Sequence, residues 1–66
     1  MEQHVERMQK EQTELCEKIG KLGEFISKNP IFDTLSKDER SDMTLQCKAM
    51  EIYRDILQRR IDRAMA

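Results

Sequence analysis

Residues 5–26 read VERMQKEQTELCEKIGKLGEFI. Val5, Met8, Gln12, Leu15, Ile19, Leu22 and Ile26 recur at alternating spacings of three and four. That is a heptad seam, apolar everywhere except at Gln12. On a helix such side chains share one face, because residues three and four apart lie above one another. Between them the stretch is mostly charged. Glu6 precedes Lys10, Glu14 precedes Lys18, Glu17 precedes Lys21 and Glu24 precedes Lys28. Each pair has Glu on the N-terminal side at i,i+4, an order worth roughly 0.2–0.5 kcal/mol per pair. The pattern predicts a helix over about residues 2–28. A helix with a single apolar stripe needs a partner, and the rest of the chain supplies it.

Asn29-Pro30 stops the first helix, since proline has no amide hydrogen and pushes the preceding residue out of the helical region. Ile31, Phe32 and Leu35 follow in a connector over residues 29–36. They are expected to fold over the tip against Phe25, Ile26 and Met43 as a small satellite core. Ser36-Lys37-Asp38-Glu39 is a capping box that starts a second helix, expected over about residues 37–65. A connector this short makes the two helices antiparallel neighbours. The fold class is therefore all-α: one domain, an antiparallel two-helix hairpin that oligomerises into a helical bundle.

The second helix carries two stripes. Met43, Cys47, Met50, Leu57, Ile61 and Ala64 form one. Leu45, Ala49, Ile52 and Ile56 form another, with Tyr53 at its boundary. One partner helix covers one stripe. A contiguous apolar surface left over marks an interface. Leu45, Ala49, Ile52, Tyr53 and Ile56 are thus the expected oligomer interface. A chain of 66 residues has little core of its own, which adds to that expectation.

Composition excludes several classes. The formal charge of −1 lacks the basic excess of DNA-binding modules. No apolar run approaches the roughly 20 residues of a membrane span. The N-terminus has no signal-peptide apolar region, which points to the cytoplasm. Two Cys and one His in separate segments make no recognisable metal site. Cys16 and Cys47 are expected at similar heights, packed as thiols. No phosphate loop, Ser/His/Asp set or HExxH is present, so no enzyme activity and no cofactor are expected. Gly20 and Gly23 lie inside the first helix, where each costs about 1 kcal/mol against alanine. They are either tolerated defects or places where a backbone or flat ligand comes close. Gln12 either fixes the register or lies at a less buried end of the bundle.

Arg54, Arg59, Arg60 and Arg63 make the end of the second helix the most basic part of the chain. The hairpin sets them beside His4, Arg7 and Lys10. They are either a solvated face with favourable charges at a helix C-terminus or a phosphate-binding cluster.

Three motifs together resemble a known family. They are H-x-x-R-M-x-x-E-x-x-E-L-x-x-K-I-x-x-L at His4 to Leu22, F-I-x-x-x-x-x-F at Phe25 to Phe32, and M-x-x-Y-x-x-I-L-x-x-R-I at Met50 to Ile61. The order and spacing are similar to small helical-hairpin proteins of crAss-like and other phages. That group includes the anti-CBASS cyclic-oligonucleotide sponge and is related to a hairpin of an anti-Thoeris sponge. The resemblance implies a homo-oligomer, a hexamer in the sponge, in the cytoplasm of an infected bacterium. It implies binding of cyclic di- or trinucleotides without cleavage. It points to Lys18 and Arg60 as ligand-binding residues, supported by His4 and Arg7. The sponge's N-terminal aromatic has no counterpart here, and His4 is the nearest ring. Two other readings fit the residues: an oligomer that binds a host protein to inhibit or recruit it, and a purely structural oligomer.

Overall fold

In a computed structural model, which describes residues 2–66 (of Glu2 the backbone alone), two long helices lie antiparallel. Helix α1 spans Glu2–Lys28, a 3-10 helix spans Pro30–Thr34, and α2 spans Lys37–Met65. The molecule is a rod of 46 × 15 × 13 Å.

The seam is the inner face of α1. Met8, Leu15 and Ile19 are buried. Val5, Gln12, Leu22 and Ile26 are half-buried, and the residues between them are mostly exposed. From α2, Leu57 and Ile61 meet them, with Leu57 fully enclosed and Cys47 and Met50 packed alongside. Enclosing one such leucine is worth about 1.5–3 kcal/mol. Gln12 sits in the middle of this core, between Met8 and Leu15, and not at an end. Its Nε2 donates to Gln58 Oε1 across the helices at 3.0 Å, and Gln58 Nε2 donates to Asp62 Oδ1 at 2.9 Å. The polar seam position therefore links the helices and marks their register.

That register corrects the placement of the cysteines. With Gln12 opposite Gln58, Cys16 is level with Arg54. Cys47 then lies seven residues beyond, about 10 Å along the axis at 1.5 Å per residue. Both are free thiols, Cys16 exposed and Cys47 half-buried.

The turn is more ordered than a plain connector. Asn29 is extended at φ −85, ψ 121, as a residue before proline must be. Its Oδ1 accepts from Ile31 N at 2.9 Å. This is an N-cap with proline at the first helical position, so one Asn-Pro pair both ends α1 and starts the 3-10 helix. Phe32 and Phe25 form a T-shaped pair, with ring centroids 6.2 Å apart at 88°. Phe32 and Leu35 are half-buried. Ile31 stays 57% exposed and so does not join the cap over the tip. Ser36 Oγ accepts from Glu39 N at 3.1 Å, which caps α2. The reciprocal bond from the Glu39 side chain is absent.

The i,i+4 pairs of α1 do not close into ion pairs. Among the described residues the ion pairs are Lys48–Glu51 at 3.7 Å and Arg54–Asp55 at 3.2 Å. Both are at least partly exposed and contribute little.

Candidate ligand-binding groove

Along one flank of the hairpin the two helices leave an open groove of about 630 Å³, lined by Leu15, Lys18, Lys21, Leu22, Gln46, Met50 and Tyr53. The helical periodicity builds it. Leu15, Lys18 and Leu22 follow one another at three and four, so they form one edge of α1. Gln46, Met50 and Tyr53 do the same on α2. Leu15, Leu22 and Met50 give an apolar floor. Lys18 and Lys21 supply two ammonium groups, neither in an ion pair with the described residues. Tyr53, 41% exposed, supplies a flat ring. Gln46 adds an amide that can donate and accept. A site with convergent cations, an apolar floor and one aromatic ring suits an organic anion that carries a flat group.

The hairpin treats the expected ligand residues unequally. Lys18 lines the groove. Arg60 does not; it follows Tyr53 by seven residues, about 10 Å further along α2. His4 and Arg7 lie roughly 16–21 Å from Lys18 along α1. All three are exposed. They lie toward the open end of the hairpin, apart from Lys18 along the axis. A single hairpin thus presents a groove station and a basic-end station, not one cluster. Arg54 is half-buried, and its Nε donates to Asp55 Oδ1 at 3.2 Å.

Tyr53, Lys21 and Gln46 are groove residues that sequence reading did not place with Lys18. Tyr53 was legible only as the border of the second stripe. Its seven-residue spacing from both Gln46 and Arg60 was the available signal, since heptad neighbours share a flank. It stands between the groove and the exposed apolar surface, where Leu45 is 64%, Ile52 56% and Ile56 41% exposed.

No group of three or more His, Cys, Asp or Glu among the described residues could hold a metal ion. No helix among them is long and apolar enough to cross a membrane.

Fold and groove together describe a small two-helix hairpin with a cationic, aromatic-edged flank. The chain belongs to the Sequestin family, whose model matches residues 2–63. The family's name denotes sequestration. No curated protein and no solved structure matches the chain.

Proposed function

We propose that this protein is a phage-encoded sponge that binds cyclic di- or trinucleotide signals and withholds them from a host defence, without cleaving them. The observation that carries the reading is the meeting of Lys18, Lys21 and Tyr53 in one groove. A cyclic oligonucleotide has one phosphate charge per nucleotide and flat bases turned outward. Lysine ammonium groups pair with the phosphates, and a tyrosine ring stacks on a base. Membership of a family named for sequestration and the motif resemblance both support it.

The protein does this as a homo-oligomer. The exposed stripe of Leu45, Ala49, Ile52 and Ile56 borders Tyr53, so a second copy seated on the stripe would also wall the groove. Symmetric copies would bring the same Lys18 and Arg60 to a symmetric ring from several sides. That arrangement unites the two basic stations which one hairpin keeps apart. The same stripe also supports a second reading, a host protein as the occupant.

Calorimetric titration with a panel of cyclic di- and trinucleotides tests the proposal. Lys18→Glu and Arg60→Glu are each expected to weaken binding while the oligomer mass stays unchanged. Losing one charged hydrogen-bonding partner costs on the order of 1.5–3 kcal/mol. Raising salt weakens binding too, since exposed ionic contacts are screened. Wild-type protein that binds none of the panel at tens of micromolar would overturn the reading.

A further inference from the structure

The exposed stripe of α2 is longer than its apolar part. Leu45, Ala49, Ile52 and Ile56 recur at alternating spacings of four and three, and the same spacing runs on past both ends. Toward the start of the helix it reaches Asp42 and Asp38, and toward the end Arg59 and Arg63. Every one of these residues is exposed. The helix thus carries a second heptad seam, acidic at one end, apolar in the middle and basic at the other.

Neither charged end is answered within the hairpin. Asp38, Asp42, Arg59 and Arg63 take part in no ion pair among the described residues. Asp42 and Arg59 stand roughly 25 Å apart along the axis, so they cannot meet on their own helix. The helix macrodipole favours acid at the start and base at the end, but its effect fades within the first and last turn. Asp42 and Arg59 lie beyond those turns, and the macrodipole gives no reason for charges to stand in line with the apolar residues. The large apolar side chains exposed among the described residues belong to α2 or, for Ile31, to the tip, and none belongs to α1. The counterpart of this stripe is therefore the same stripe on a second copy.

We propose that two copies pair α2 against α2 in antiparallel orientation, about a twofold axis that passes between Ala49 and Ile52. The axis fixes the register. Ala49 meets Ile52 of the other copy, Leu45 meets Ile56, Asp42 meets Arg59 and Asp38 meets Arg63, and symmetry makes each pair twice. A parallel pair in register would set Asp against Asp and Arg against Arg, so the charges select the antiparallel form. The flanking positions agree with it. Glu39 stands against Arg60 and Gln46 against Tyr53 on one side, and Lys48 against Asp55 on the other, with no like charges opposed. These rim pairs are exposed and contribute little. The contact runs over about 38 Å of helix, from Asp38 to Arg63. Gln46 and Tyr53 both line the groove. Tyr53 of one copy thus faces Gln46 of the other, and the two grooves open side by side across the axis. The proposal rests on the self-association part of the functional reading, gives it an orientation, and is independent of the ligand.

Sedimentation of the full-length protein over a concentration series tests the pairing, with helix content checked for each variant. Wild type is expected to self-associate at micromolar concentration. Asp42→Arg and Arg59→Asp each set like charges together twice per pair of copies. Each is expected to raise the dissociation constant about tenfold or more. The two substitutions in one chain restore opposite charges only in the antiparallel register. That double variant is expected to return to within about threefold of wild type. An equimolar mixture of the two single variants is expected to associate more tightly than either alone, because each then meets its opposite charge on the other copy. Single variants that match wild type would overturn the antiparallel register and leave self-association standing. So would a double variant no tighter than the singles. A wild type that stays monomeric would overturn both.

Discussion

Gln12 shows how much one side chain can fix in a molecule with so small a core. Its Nε2 is bonded to Gln58, but its Oε1 is buried without a partner, as is Arg40 Nε among the described residues. An unsatisfied buried polar atom costs about 1–3 kcal/mol. The amide orientation follows from Asp62, which only accepts and so requires the NH2 group of Gln58. Gln58 then turns its oxygen to Gln12, and Gln12 must turn its own oxygen into the core. Gln12→Leu removes the orphan and continues the apolar seam, while Gln58 remains exposed and can bond to water. Thermal unfolding followed by circular dichroism should show a higher midpoint, equivalent to about 1–2 kcal/mol. A lower midpoint would mean that the interhelical bond outweighs the orphan.

The two α-helices were legible because their signals are local. The seam of α1 needs only its own spacing, and its end needs only Asn29-Pro30. The start of α2 needs only Ser36 and its three followers. Ser36→Ala removes the bond to Glu39 N and should cost about 1 kcal/mol in the same unfolding experiment. The 3-10 helix goes beyond the sequence expectation, since Asn29-Pro30 is a start signal as well as a stop. Ile31 departs from its expected place over the tip for a related reason: the tight 3-10 turn gives Phe32 the inward position and leaves Ile31 outside. Gly20 and Gly23 settle differently within one hairpin. A Cβ added at either meets nothing within 4 Å. Neither glycine therefore serves a close approach inside the hairpin. Gly20→Ala and Gly23→Ala should each stabilise by about 1 kcal/mol. A destabilised or dissociated variant would show instead that another copy packs against that face.

At the scale of the molecule, the division between what one hairpin completes and what it leaves open explains the rest. The inner stripe of α2 is buried at Leu57 and Ile61 and half-buried at Met43, Cys47 and Met50, and only Ala64 at its end is exposed. The outer stripe, Leu45, Ala49, Ile52 and Ile56, is exposed throughout. Its existence was legible from spacing alone, because two apolar stripes cannot both face one partner. The groove was not, because it depends on which residues of α1 stand level with which of α2. Lys18 and Tyr53 are 35 positions apart in the sequence, and only the interhelical register brings them together. Ile52→Asp places a charge in the centre of the outer stripe. Sedimentation should show the wild type as an oligomer and this variant as a dissociated species, since an unpaired buried charge is strongly destabilising. A wild-type mass of 7.9 kDa at micromolar concentration would refute self-association. Sequestration itself is tested most directly by recovery of the ligand. Protein in molar excess is mixed with a cyclic di- or trinucleotide, the free nucleotide is measured in a filtrate, and the retained fraction is heat-denatured and analysed. The account predicts depletion of the filtrate and return of the intact cyclic nucleotide in stoichiometric amount after denaturation. An undepleted filtrate across the panel, or a linear product in place of the cyclic one, would contradict it.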